Sequence, residues 1–304
     1  MYQPGKPIEQ VAREHGFTPE DVCKLASNEN PWGSSTTAIE AGKVALESVY
    51  LYPEGSGQAL REKLGQYHKL DGSQFILGNG SNEIIELLGH VFLNPEDEVL
   101  VGEHAFVVYK LVALLMGADV IETEMPRLTH DLDAMKKAIT DRTKLIFLPS
   151  PNNPTGTANS SEEISAFVRS LPEHVLFCLD EAYAEYLDDP FDLRPFIAEG
   201  RKVLGLRTFS KIHGLAGLRV GYGVADPQVA DVLNRVRQPF NVNIPALAAA
   251  QAALDDHDHI ENSKGENAAG LAQLAEGLAE LNLERIPSVA NFVTFDCGGD
   301  ALPV

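Results

Sequence analysis

From Phe75 onward, short runs of consecutive apolar residues alternate with longer stretches of helical spacing. FILG at 75–78, DEVLVG at 97–102, ADVIETE at 118–124 and KLIFLP at Lys144–Pro149 are each too short for a helix and are read as strands. HVLFCLDEAY (His174–Tyr183) and the run Lys202–Leu206 follow in the same style. Helical spacing appears from Ser81 and over His104–Met116. Ahead of Phe75 the pattern predicts only helices: Pro7–Gly16 with Ile8, Val11 and Ala12 on one face, about Thr37–Val49, and Ser56–Lys69. After Tyr222 it predicts helices over Pro227–Val236, Ile244–Leu254 and about Ile260–Leu281, then a strand at Ala290–Phe295 that begins a new unit. Strands that are apolar throughout and separated by helices belong to an α/β fold with a mostly parallel sheet covered on both faces. Ligands of such sheets bind at the carboxyl ends of the strands, where Asn153, Asp180, Tyr183 and Lys211 fall.

Composition narrows the possible partners. The chain has 304 residues, 44% of them hydrophobic, which is ample for a large core. A formal net charge of −20 leaves no basic face to hold nucleic acid. No apolar run is long enough to span a membrane, and MYQPGKPIEQ has no signal-peptide core. Cys23, Cys178 and Cys297 are far apart, with neither metal-ligand spacing nor a disulfide framework, so a reducing cytoplasm is expected. The nine histidines form no HxxxH or HExxH pair, and His257 and His259 in DDHDHIEN read as a solvated acidic turn.

The densest chemistry lies in RTFSKIHGLAGLRVGY, Arg207–Tyr222. Lys211 is either an amine nucleophile or an ordinary exposed lysine beside a glycine turn. Thr208, Ser210 and Arg219 around it can bind a dianionic phosphate. A second candidate anion site is Gly78-Asn79-Gly80-Ser81-Asn82, a glycine turn opening a helix whose first N–H groups lack partners. ASNENPWG at Ala26–Gly33, with Asn28 inside it, reads as a turn or as a ligand contact. An amine, a carboxylate (Asp180), a carboxamide (Asn153) and a phenol (Tyr183) on one rim, beside a phosphate cradle, form the set that pyridoxal phosphate requires.

The chain resembles the fold-type I, class I/II aminotransferases over nearly its whole length. YQPGKPIE, KLASNENPWG, YPEGSG, ILGNGSNEIIELL, PNNPTGT, DEAYAEY, RTFSKIHGLAGLRVGYG and RQPFNVN occur in that order. NPTG, DEAY and SKIHGLAGLRVGY carry the superfamily; YQPGKPIE and NENPWG point to its histidinol-phosphate branch. The resemblance implies the fold of that family with a second, smaller α+β domain. Residues 1–48 would contribute to the small domain and the substrate loop, 49–243 would form the large cofactor-binding domain, and 244–304 would begin the C-terminal small domain. It makes Lys211 the covalent attachment point for pyridoxal 5′-phosphate and later the proton shuttle. Asp180 becomes the partner of the ring nitrogen, and Asn153 and Tyr183 the partners of the ring oxygen. Tyr109 becomes an aromatic ring stacked on the cofactor. Gly80, Ser81, Asn82, Thr208, Ser210 and Arg219 would hold the phosphate, Tyr52 would reach it from the other subunit of a homodimer, and Asn28 would lie near substrate. No metal is implied. The implied activity interconverts histidinol phosphate plus 2-oxoglutarate and imidazole-acetol phosphate plus glutamate. Rivals on the same scaffold are an aromatic aminotransferase and a phospho-amino-acid decarboxylase; a cofactor-binding but inactive fragment is a third. The family's substrate-gripping arginine belongs to a segment beyond Val304, so the small domain is expected to be incomplete, leaving Arg235, Arg237 and Arg285 as candidate clamps.

Overall fold

The computed structural model describes residues 5–301, so Tyr2, Gln3 and Pro4 of the YQPGKPIE stretch lie outside the described residues. Its centre is a seven-stranded sheet. In chain order the strands are β1 (Phe75–Gly78), β2 (Glu98–Gly102), β3 (Asp119–Thr123), β4 (Thr143–Pro149), β5 (Leu176–Asp180), β6 (Val203–Thr208) and β7 (Gly221–Ala225). They lie side by side as β1-β7-β6-β5-β4-β2-β3. The pairs from β3 across to β6 are parallel, and β7 runs antiparallel to both β1 and β6.

Eleven helices are present among the described residues. The first five are α1 (Ile8–His15), α2 (Thr36–Leu46), α3 (Gln58–His68), α4 (Ser81–Phe92) and α5 (Val108–Met116). The others are α6 (Leu132–Ala138), α7 (Ser161–Ser170), α8 (Arg194–Ala198), α9 (Pro227–Val236), α10 (Ile244–Ala253) and α11 (His257–Glu280). A two-stranded antiparallel sheet, β8 (Glu284–Ile286) with β9 (Thr294–Asp296), follows α11.

The two-residue period of the strands sorts the core onto two faces. Along β4, Leu145 and Phe147 join Ile84, Leu88 and Tyr109 on one side. Ile146 and Leu148 join Ile164, Phe167 and Phe177 on the other. All of these side chains are buried, so both faces are dry, as apolar parallel strands require. Helices α2 and α10, which fall in the two segments expected to contribute to the small domain, pack on each other through small residues. Ala38, Ala246, Ala249 and Ala250 are all buried in the main core.

Three expectations need correction. Strand β7 was not anticipated, because Gly221, Gly223 and Ala225 give it little of the bulk that marks a strand. The strand expected at Ala290–Phe295 is shorter and later. Its first residues bend instead, with the Ala290 N–H donating to Ser288 Oγ and the Asn291 side chain donating to Asn28 O. His257 and His259 do not form a solvated turn but the first turn of α11. Asp256 caps that helix by accepting the His259 N–H at 3.1 Å.

Close packing of α2 on α10 generates a first prediction. Ala249 has no solvent exposure and faces Gly42, so Ala249→Leu should overpack this interface. Urea denaturation should show a loss of about 1–3 kcal/mol.

Candidate active site

The carboxyl ends of β4, β5 and β6 deliver Asn153, Asp180, Tyr183 and Lys211 to one cavity of about 890 Å³. Because β7 is antiparallel, its start lies at the same rim and brings Arg219 there. The turn after β1 adds Ser81 and Asn82 at the start of α4.

Asp180 is only 6% exposed. Its Oδ2 accepts the Tyr109 hydroxyl at 2.6 Å and its Oδ1 accepts the Ala182 N–H at 3.0 Å. Burial pushes the carboxyl pKa up, while those two hydrogen bonds and the nearby Lys211 ammonium oppose the rise. Lys211 is half-buried and its Nζ lies 5.5 Å above the Tyr183 ring. Burial lowers its amine pKa to about 8; Glu29 and Asp180 raise it, and Arg219 and Lys24 lower it further. An amine brought that close to neutrality is available as a nucleophile and as a base. The Tyr183 hydroxyl accepts Nδ2 donors from Asn28 at 3.2 Å and Asn153 at 3.3 Å. Burial pushes the phenol pKa up to about 12.

A cradle of donors sits at the other end of the cavity. Helix α4 begins after Gly80 with no side-chain cap, so its first N–H groups remain free to meet an anion. Gly80 has φ of 75°, and a Cβ there would stand 2.4 Å from Arg219 Nη2. Gly221 is equally constrained, since its Cβ would stand 2.6 Å from the Ser81 nitrogen. The turn, the strand and the arginine therefore meet at van der Waals distance. Arg219 Nη1 donates to Ser210 Oγ at 3.3 Å, and the Ser210 N–H donates to Thr208 Oγ1 at 3.1 Å.

The loop before α2 closes over this arrangement. Ser27 and Asn28 both have positive φ, 75° and 52°. Such a conformation costs a residue with a Cβ roughly 1–2 kcal/mol, less for asparagine. Lys211 Nζ donates to Ser27 O at 2.8 Å. Asn30 Nδ2 donates to Ile212 O at 2.8 Å, just past the lysine.

Not every expected residue takes its expected place. Tyr109 is fully buried, its ring stacked on Phe147 at 4.6 Å and its hydroxyl spent on Asp180. It borders the cavity floor behind the carboxylate, a different place from the ring-stacking one expected. Phe106, three residues earlier in the loop before α5, also lines the cavity and is half-buried. Tyr52, expected to act on the other subunit, is 81% exposed, stacks on Phe240 at 4.8 Å and lies outside the cavity of its own chain. None of the candidate clamps lines it either. Arg235 pairs with Asp231, Arg237 with Gly55 O and Asn241, and Arg285 lies in β8. Ser27, Glu29 and Phe106 line the cavity without having been singled out. The three-residue spacing of Phe106 and Tyr109 was the available signal for the last of these.

The family model for class I and II aminotransferases matches residues 20–301, and the chain belongs to that family. A histidinol-phosphate aminotransferase of Methylobacillus flagellatus is 51% identical over 296 residues, covering 97% of this chain and 80% of that protein. Histidinol-phosphate aminotransferase 1 of Nitrosococcus oceani is 48% identical over 298 residues, again covering 97% and 80%. Among solved structures, the histidinol-phosphate aminotransferase of Sinorhizobium meliloti in complex with pyridoxal-5′-phosphate is similar with a TM-score of 0.91 at 26% identity. That match covers 98% of this chain and 81% of that one.

The Tyr109–Asp180 contact yields a second prediction. Tyr109→Phe keeps the stack on Phe147 but removes one donor from a buried carboxylate. Urea denaturation at neutral pH should show a loss of about 1.5–3 kcal/mol, the usual worth of a hydrogen bond to a charged group. An unchanged midpoint would mean that the hydroxyl does not stabilise the charge.

Proposed function

We propose that this chain is a pyridoxal-phosphate-dependent aminotransferase exchanging an amino group between histidinol phosphate and 2-oxoglutarate. One observation carries the reading: a lysine with a lowered amine pKa and a buried carboxylate share one cavity with an uncapped helix N-terminus. The donor set fits the cofactor. Ser81, Asn82, Ser210 and Arg219 would hold its phosphate, Asn153 and Tyr183 its ring oxygen, Asp180 its ring nitrogen and Lys211 its aldehyde carbon. When bound, pyridoxal phosphate supplies a protonated ring that draws electrons from the substrate carbon next to nitrogen. Lys211 Nζ takes the proton from that substrate carbon and returns it. Asp180 keeps a negative charge at the cavity floor. Histidinol phosphate as the substrate is supported by relatives at 48% and 51% identity that bear that name. The purified chain with pyridoxal phosphate should be yellow, bleach with glutamate, and prefer histidinol phosphate to phenylalanine as amino donor. Release of CO2 or a preference for phenylalanine would overturn the substrate assignment.

Asp180→Asn separates charge from binding, because the phosphate cradle does not depend on the floor carboxylate. Cofactor affinity should change little, whereas turnover should fall roughly a hundred- to thousand-fold, the scale of preorganised charge stabilisation. Steady-state kinetics beside a cofactor titration checks the split.

We also infer a homodimer in which Tyr52 reaches the neighbouring site. Support comes from an exposed apolar strip, Val44, Leu46, Val49, Tyr50 and Leu51, each more than half exposed and leading directly into Tyr52. The cytoplasm is the inferred location, supported by three cysteines that are all free. Mixing Lys211→Ala subunits with Tyr52→Ala subunits should restore activity through one intact site in each hybrid. Subunit exchange without recovery would remove Tyr52 from the shared site.

A further inference from the structure

The turn at Ser27-Asn28 is an improbable conformation that must be held from outside. Both residues are in the left-handed region, and consecutive non-glycine residues rarely stay there unless surrounding contacts determine them. Several of those contacts belong to the site already described: Lys211 Nζ on Ser27 O, Asn28 Nδ2 on the Tyr183 hydroxyl, and Asn30 Nδ2 on Ile212 O. A further one comes from the far end of the chain. Asn291 donates from one amide nitrogen to two successive carbonyls of the turn, Asn28 O at 3.1 Å and Glu29 O at 3.4 Å. Asn291 does not touch Lys211, but it grips the peptide groups directly after the one that Lys211 uses. Its own segment is fixed independently. The Val289 N–H donates to Gly156 O at 2.9 Å, and the Thr294 hydroxyl donates to Pro154 O, both in the loop that carries Asn153.

We propose that Asn291 is a positioning residue that holds the Ser27–Asn28 turn in its left-handed form and thereby fixes the hydrogen bond from Lys211 Nζ to the Ser27 carbonyl. It deepens the reading of Lys211 as the proton-moving amine, because it names what directs that amine whenever it is free. A carbonyl oxygen aimed at Nζ favours the ammonium over the neutral amine, so the bond raises the lysine pKa. The other groups facing Nζ are the Glu29 carboxylate and the Lys24 ammonium from the loop before α2, Asp180 at the end of β5, Arg219 and the Tyr183 ring. Burial has already brought the amine to about 8, so a change in one hydrogen bond moves it within an accessible range.

The experiment is pH-dependent acylation of the full chain freed of cofactor, with the Lys211 peptide followed by mass spectrometry. Wild type should give a midpoint near 8. Asn291→Ala should lower it by about 0.5–1 unit, the expected effect of losing a hydrogen bond to the charged form. At pH 7 a full unit means about a fivefold larger neutral fraction, hence faster labelling. Adding Ser27→Gly to Asn291→Ala should recover part of the shift, since glycine enters positive φ without steric cost. If Asn291→Ala unfolds, as circular dichroism would reveal, Asn291→Leu matches the volume without the donor and should show the same shift. An unchanged midpoint in a folded variant overturns the proposal. So does a shift that Ser27→Gly fails to reduce, because Asn291 would then act by another route. Labelling reads the proton on Lys211 directly, so neither result depends on the assigned reaction. Failure of that assignment would appear instead in the substrate assays.

Discussion

A carboxylate held almost out of reach of water sets the terms for this structure. Asp180 at the end of β5 has its two oxygens met by one buried phenol and one backbone N–H. Burial remains the largest influence on it and raises its pKa. The consequence for stability follows from sign. A raised folded pKa means the native state binds the proton more tightly than the unfolded chain does. The group's contribution to stability is therefore complete below the unfolded carboxylate pKa and is lost as pH rises through the folded one. At neutral pH the charged floor is a destabilising feature, kept in place by the rest of the core.

The neighbouring residue meets the same problem. Glu181, the residue just after β5, is buried as well and does not line the cavity. Arg207 in β6 answers it at 2.8 Å and also reaches Glu185 at 3.2 Å. The end of β5 thus carries one carboxylate for chemistry and one for architecture, each with its own partners. Removing either partner would strand a buried charge, which costs far more than an exposed ion pair is worth. This is the physical reason for the run of acidic and aromatic residues in DEAYAEY.

Much of the fold was legible because apolar runs on a doubly covered sheet leave a strong pattern. Strands β2, β3 and β5 fall inside the runs that announced them, β4 begins one residue before its run, and α9 spans the predicted residues. The pattern failed where geometry rather than apolar bulk makes the strand. Strand β7 is built from small residues because β1 and the Ser81 turn approach so closely that Gly221 and Gly223 have no room for a side chain. The site was legible as residue types at strand ends, and Lys211, Asp180, Asn153 and Tyr183 do share one cavity. What spacing could not reveal was which aromatic faces the cavity and which backs the carboxylate. Phe106 and Tyr109 lie three residues apart, and only the packing of Tyr109 on Phe147 separates their roles. Ser27 was invisible for another reason: it contributes a backbone carbonyl, which any residue carries.

The amine is fixed as firmly as the carboxylate, but by segments remote in sequence. The Ile212 carbonyl, one residue past Lys211, faces Asn30 Nδ2 at 2.8 Å and His259 Nε2 at 3.2 Å. Asn30 is itself tied to Ser263 on α11 at 3.0 Å. Gly214, with φ of 69°, lies so close to Gly33 that a Cβ would stand 2.1 Å from its carbonyl oxygen. The backbone around the lysine is therefore clamped between the loop before α2 and the start of α11. A long side chain with four rotatable bonds can be aimed only if its root does not move. That requirement explains why asparagines and glycines, rather than bulky apolar residues, surround the strand end. They bring backbones into direct contact and convert a flexible side chain into a placed one.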